Sequence, residues 1–306
     1  MATLALVAWL GASQIGAEVL RAWYVVPAAL AIHALQLHLS GIAWRRVAGN
    51  PPPGPLAWLR IRWIREAVNT MLPTAQIGGN LAGIRLLTQR GLTLTRASAA
   101  TVLDLTAEQA SQALYTISGI VLLAATTSDR HWLPWVALSL AGLVAGTTGF
   151  VLAQKFGLLR LVETMAARLG LPGLQGLDAQ LRLLAANRRA LLGAVGLHLA
   201  AWIIGTAETA LALAAMGALP SLAAAAVIEC LGMAARSAAF VVPAGLGVQE
   251  AGLVLLGGLY GITPETAVAL SMVKRVRELT VGGSGLLAWQ WGRLPATAAV
   301  LERSDS

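Results

Sequence analysis

The feature that most constrains this chain is a pattern written twice, 170 positions apart, with no insertion or deletion between the copies. Asn69-Thr-Met-Leu-Pro73-Thr-Ala-Gln76-Ile-Gly-Gly-Asn80 leads to Gly91-Leu-Thr93, Ala97, Ala99, Asp104 and Glu108. Later, Val242-Pro243-Ala-Gly-Leu-Gly-Val-Gln249-Glu250 leads to Gly261-Ile-Thr263, Ala267, Ala269, Lys274 and Glu278. Apolar segments broken by Gly and Pro at matching places in two halves mark the substrate region of many membrane carriers. The pattern therefore predicts a pseudo-symmetric lipid or solute carrier.

Composition agrees. Of 306 residues, 57 % are hydrophobic and 12 % charged, and mean hydropathy is +0.70. A soluble domain would not stay in solution with that surface, so the expected class is an all-α, polytopic integral membrane bundle. The formal net charge of +8 fits basic flanks that orient membrane spans and meet anionic lipid, rather than a nucleic-acid partner. Cys230 is the single cysteine, which excludes an internal disulfide and reads as a small packing residue. Met1 to Leu10 lacks a basic n-region, so no cleavable signal peptide is expected.

Along the chain, a short first span is expected near Ala2 to Ala17, then a second over Trp23 to Trp44 that stops at Arg45-Arg46. Asn50-Pro-Pro-Pro53-Gly breaks the helix. Trp58 to Leu72 is helical, but Arg60, Arg62, Arg65 and Glu66 make a full crossing costly, which places it on or part-way into the cytoplasmic face. Pro73 to Leu87 is too short for a span and reads as a re-entrant, broken-helix hairpin over 73–90, which membranes tolerate only where backbone is buried or lines a cavity. Spans follow at Arg96 to Ala125 and Trp132 to Ala153. These form a first half over 1–153, an amphipathic cytoplasmic linker over 154–189, and a second half over 190–306. The second half holds a span at Ala190 to Ala215, a half-inserted segment at Ser221 to Val242, a second hairpin over 243–262, and a last span from Pro264 to about Trp291. If each hairpin returns to its own side, three spans separate Pro73 from Pro243 and the repeats are inverted. Sixteen Lys and Arg then fall on one side and three on the other, as the positive-inside rule requires with a cytoplasmic amino terminus. A parallel arrangement needs Ser221 to Val242 to cross fully.

Ionisable residues inside apolar sequence are the candidate site, because such groups are rare and face the protein interior or water. Asp104 and Glu108 share one helix face at i, i+4, as do Lys274 and Glu278 at the matching positions. Two halves meeting at a central plane would bring Asp104 near Lys274, or the glutamates near Arg85, Arg236 or Arg277. Such groups serve equally as ion pairs holding the halves together or as direct substrate contacts. Asn80 and Glu250 occupy matched hairpin positions, where Glu250, after Gly245, Gly247 and Gln249, either caps a half-helix or takes a proton or a cationic head group. Glu208, Glu229, His33, His38 and His198 are weaker candidates, the histidines being expected to bond neighbouring helices. No metal-ligand spacing, phosphate-binding loop or nucleophile elbow occurs, so no cofactor is expected. Trp23, Trp44, Trp58, Trp132 and Trp289 sit near span ends and read as an interfacial belt.

Asn69-x-x-Leu-Pro73-x-x-x-Gly-Gly79-Asn80, with Pro243-Ala-Gly-Leu-Gly247-Val-Gln249-Glu250-Ala and Lys274-Arg275, resembles the membrane region of the lysylphosphatidylglycerol synthase (MprF-like) and YbhN-like family. Arg62-Trp-Ile-Arg65-Glu66-Ala-Val-Asn69, Ala75-Gln76-Ile-Gly-Gly and Ala82-Gly-Ile-Arg85-Leu-Leu are closer to its hopanoid-biosynthesis-associated HpnL branch. The resemblance implies a multi-pass lipid flippase of the bacterial inner membrane, with a hopanoid or phospholipid as substrate and no aminoacyl-transfer activity. Asn80 stands where relatives carry an acidic residue and Gly83 where arginine is common; Glu250 and Arg275 match the second motif. The substrate-binding set is thus Asn69, Gln76, Asn80, Arg85, Asp104, Glu108, Arg236, Gln249, Glu250, Lys274, Arg275, Arg277 and Glu278. A homo-oligomer is compatible with this reading. A non-catalytic scaffold of a lipid-synthesis complex and an integral-membrane lipid-modifying enzyme are the competing functions.

Overall fold

A computed structural model describes residues 12–74, 77–127, 175–238 and 247–291. Among them every regular element is helical. Helix α1 (Ala12–Ala22) passes through a 3-10 turn at Trp23–Val25 into α2 (Val26–Val47). Then come α3 (Pro55–Met71), α4 (Ile77–Thr88), α5 (Leu94–Thr126), α6 (Leu177–Ala185), α7 (Arg188–Ala215), α8 (Leu222–Ala238), α9 (Val248–Gly258) and α10 (Pro264–Trp291). The first two expected spans are therefore joined by a turn of helix, not a loop, and the part before residue 12 lies outside the described residues. So do the span Trp132 to Ala153, most of the linker, Gln76 and the first residues of the second hairpin.

Local chemistry explains the boundaries. Prolines open α2, α3 and α10, where the missing N–H costs nothing. After α4, Gly91 takes φ 93° and the Leu92 N–H donates to the Leu87 carbonyl at 3.2 Å. Thr93 Oγ1 then accepts from the Arg96 N–H at 3.2 Å and starts α5. After α9, Gly261 takes φ 74°, Ile262 N–H donates to Gly257 O at 3.0 Å, and Thr263 Oγ1 accepts from Thr266 N–H at 3.3 Å. Only glycine adopts that left-handed backbone without strain, so the shared Gly-x-Thr is a helix stop followed by a helix start.

Helix α2 lies along α7, joined where Gln36 Nε2 donates to Ala201 O at 2.8 Å. Helix α3 packs on α4 and α10, and α8 packs on α9 and α5; α6 lies on α5 and α1 on α10. Two apolar cores result. One gathers Trp44, Trp58, Leu87, Leu92, Ala97, Ala99 and Leu103; the other gathers Leu213, Ile228, Leu253, Ile262, Ala267, Ala269 and Val273. The continuous stretch Ile15–Val47 and α7 are long and apolar enough to cross a membrane. Helices α5 and α10, at 33 and 28 residues, also exceed the hydrocarbon thickness at about 1.5 Å per residue, but both carry charges.

One expectation is corrected. Trp44 and Trp58 are fully buried and meet edge to face at 5.3 Å, so they belong to the core and not to an interfacial belt, whereas Trp23 is 65 % exposed. On α3, Arg62 and Arg65 are buried and point into the bundle. The place of Gly83 also has a physical reason, since a Cβ there would sit 2.6 Å from the Trp44 ring and no side chain fits.

Gly79 is the tightest helix contact: an added Cβ would lie 2.2 Å from Arg65 O and 2.5 Å from Asn69 Oδ1. Gly79→Ala is expected to lower stability by about 1–3 kcal/mol through overpacking. Gly196→Ala, with nothing within 4 Å of the new methyl, is expected to be neutral or stabilising. Thermal unfolding in detergent compares the two, and equal midpoints would refute the close packing of α4 on α3.

Candidate functional site: a buried network of ion pairs

Helix geometry sorts the charges into facing sets. Arg62 and Arg65 lie at i, i+3 on α3, and Asp104 and Glu108 at i, i+4 on α5, so each pair forms one stripe. Arg65 Nη1 meets Asp104 Oδ2 at 2.6 Å. Arg62 holds Glu108 with two guanidinium nitrogens, at 2.7 and 3.2 Å, the fork geometry that makes such pairs strong. His198 of α7 pairs through Nε2 with the other oxygen of Asp104 at 3.0 Å. Trp44 lies 4.8 Å under the Arg65 guanidinium, which fixes it over an aromatic face. Asp104 is completely buried and Arg65 is 2 % exposed.

The second set radiates from α10. Lys274, Arg275 and Arg277 leave the helix in different directions because each residue turns by about 100°. Lys274 Nζ reaches Glu229 Oε2 of α8 at 2.6 Å, and Thr209 of α7 donates to the same oxygen. Arg275 reaches Glu250 of α9 at 3.2 Å and Glu278 at 3.0 Å. Arg277 pairs with Glu208 of α7 and lies 3.6 Å from Glu278. Arg236 of α8 donates to Glu278 and, at 3.0 Å, to Gln249 Oε1. A helix with cations on three sides is stable only where every side meets a carboxylate.

Glu250 fills the capping role expected of it and also pairs within the network. Its Oε2 accepts the Gly247 N–H at 2.7 Å and so caps α9, while Oε1 accepts from Ser271 at 2.9 Å and faces Arg275. It has no exposed surface. Asn69 serves the corresponding break before α4, its Oδ1 accepting the Gly79 N–H at 2.9 Å. Asn80 is half-buried on α4, Arg85 is exposed, and Gln76 lies outside the described residues. Asp104 and Lys274 do not pair. The carboxylate is taken by Arg65, Arg62 and His198, and the ammonium by Glu229.

Five participants lie outside the expected substrate-binding set: Arg62 and Arg65, which were not singled out, and Glu208, Glu229 and His198, which were the weaker candidates. Charge balance was the available signal, because Asp104 and Glu108 on one buried stripe require two cations at matching spacing. Cys230 is buried beside Gly119, where an added Cβ would lie 2.5 Å from its own Cβ, consistent with a packing role.

Long apolar helices enclosing paired charges define an all-helical integral membrane protein. The model of the lysylphosphatidylglycerol synthase TM region matches residues 1–283, so the chain belongs to that family. This membership makes it a transmembrane protein with a membrane-lipid-related function. Comparison with curated proteins and with solved structures gives no match.

Lys274→Met strands Glu229 in the core and is expected to cost about 3–5 kcal/mol. Adding Glu229→Gln is expected to recover most of that loss. Unfolding midpoints of the two single variants and the double variant measure the coupling, and strictly additive effects would show that the pair does not interact.

Proposed function

We propose that this chain moves a polar lipid, a hopanoid or a phospholipid, across the bacterial inner membrane without chemically altering it. The observation that carries the reading is the concentration of fully paired charges inside the bundle. A buried ion pair adds little stability over apolar residues of the same volume. Ionisable groups inside membrane proteins are otherwise found along substrate, ion and proton routes. Three cations, Arg236, Arg275 and Arg277, share Glu278, and shared partners exchange at lower cost than exclusive ones.

The architecture in this proposal is two inverted repeats, each a helix, a broken-helix hairpin and a long span. Several facts support the repeat itself. Helices α5 and α10 start 170 residues apart, at Leu94 and Pro264, and their Gly-x-Thr entries are built from the same hydrogen bonds. The contacts α3 with α10 and α8 with α5 exchange the same elements between halves. In the described conformation the space bounded by Glu229, Arg236, Gln249, Lys274 and Arg277 is about 10 Å³, enough for one water and no head group. Loading a head group therefore requires the helices to part and the shared ion pairs to change partners.

Glu250→Gln removes the charge and leaves one acceptor oxygen, so either the Gly247 N–H or the Ser271 and Arg275 contact is lost, while Arg275 keeps Glu278. It is expected to abolish lipid flux in reconstituted vesicles while the chain still unfolds cooperatively, with stability lowered by about 1–3 kcal/mol for the lost contact. Undiminished flux would remove Glu250 from the mechanism. Lipid analysis of inner and outer membranes with and without the protein identifies the substrate, and identical profiles would favour a scaffold.

A further inference from the structure

Outside the charged network a side-opening slot of about 370 Å³ lies between α5, α7 and α8. Its walls are apolar, with Leu122 from α5, Ile203 and Ala207 from α7, and Leu222 and Ala226 from α8. The room comes from alanine, since Ala207, Ala210 and Ala226 line it where larger side chains would fill it. Hydroxyl groups mark the polar part of this wall: Tyr115 Oη and Thr206 Oγ1 are hydrogen-bonded at 2.7 Å, and Ser118 Oγ donates to the Tyr115 carbonyl at 2.6 Å. Tyr115 is held there by stacking on Trp202, with ring centroids 6.4 Å apart, and Trp202 Nε1 donates to Ser111 at 3.2 Å.

We infer that this slot binds one hydrocarbon chain of a membrane lipid, with the polar end of that lipid directed to the Tyr115–Thr206 pair. Three observations select this occupant. The lining side chains toward the outside are apolar and exposed, with Ile203 at 56 % and Leu222 at 70 %, and in a transmembrane chain such faces meet lipid. The slot is thus continuous with a phase made of hydrocarbon chains. Its volume lies at the small end of ligand sites, about 300–1,000 Å³, which suits one chain rather than a whole lipid. The slot also stands back to back with the ion pairs. Cys230 borders it while Glu229, the preceding residue, borders the space beside Lys274; on α7, Thr206 lines the slot and Thr209, one turn on, donates to Glu229. A lipid seated by its chain therefore brings its polar end next to the first buried ion pair.

This inference rests on the lipid-translocation reading for its purpose, but binding is measured separately from flux. The full chain is reconstituted in vesicles of phosphatidylethanolamine and phosphatidylglycerol doped with a phospholipid carrying a diazirine on its acyl chain. After irradiation, adducts are mapped by mass spectrometry. The expected result is several-fold enrichment on the peptides holding Leu122, Ala207 and Ala226 over other exposed apolar faces, such as that around Leu287. Ala207→Trp, or Ala226→Trp from the opposite wall, is expected to remove this enrichment and reduce flux. Leu211→Trp, on an exposed face outside the slot, is expected to change neither. Labelling spread evenly over exposed faces, or unchanged by both slot-filling variants, overturns the inference. So does crosslinking between two copies of the chain through Cys230, which would make the occupant a second protomer. Enriched labelling in a chain that shows no flux leaves the slot standing and removes the translocation reading instead.

Discussion

A charge held away from water must have a partner, and this requirement organises the rest of the molecule. In an interior of low dielectric an unpaired carboxylate or guanidinium costs several kcal/mol, about as much as a whole domain's margin of stability. Asp104 and Glu250 have no exposed surface at all. Each is reached by an arginine from another part of the chain, Arg65 for the first and Arg275 for the second. The helices that carry these partners cannot be rotated or shifted by a turn without stranding a charge. The ion pairs therefore set the register of α3 against α5 and of α10 against α7, α8 and α9, leaving the apolar cores to supply cohesion.

Small residues make that register reachable. Between α3 and α10 the contact runs over Gly282 and Gly285, where added Cβ atoms would meet the Met71 and Ala67 side chains at 2.6 Å. Across the same seam Trp63 Nε1 donates to Val281 O and Arg60 Nη2 to Ala288 O, both at 2.8 Å. Glycines spaced at i, i+3 let two backbones approach closely enough for such side chain to backbone bonds, the usual route to tight helix packing in membranes. The result is a close α3–α10 interface although the two helices belong to opposite ends of the sequence.

The helices were largely legible in the sequence, because Gly, Pro and Thr punctuate them and act locally. Pro264 opens α10 and Gly91-Leu-Thr93 separates α4 from α5 as those residues dictate. Asp104 and Glu250 were legible as buried for a similar reason, each a lone charge in apolar sequence, and Lys274 and Glu278 as part of a charged cluster inside a span. What escaped was pairing, which depends on the rotation of one helix against another. Considered alone, α3 gives no partner for Arg62 and Arg65, and the stripe of Asp104 and Glu108 opposite supplies it. The matched positions 104 and 274 suggested a direct Asp104–Lys274 bond. Instead each group is satisfied by a nearer helix, Asp104 by α3 and α7 and Lys274 by α8. Trp44 and Trp58 were misplaced by the same limitation, since position near a helix end does not say which way an indole points.

The pairs are not equivalent mechanically. Lys274 and Glu229 meet at 2.6 Å in a contact sealed further by Thr209, and parting them would leave the ammonium without a carboxylate. Glu278 is different, because Arg236, Arg275 and Arg277 all lie within reach of it from two helices. Withdrawing Arg236 leaves Glu278 still compensated, and Arg236 still has Gln249. Rearrangement is therefore cheap where several cations share one carboxylate and expensive where a pair is exclusive. On these grounds α8 and α10 are pinned at Lys274–Glu229 and free to adjust one turn away, at Glu278, which places the hinge of any opening motion beside the slot.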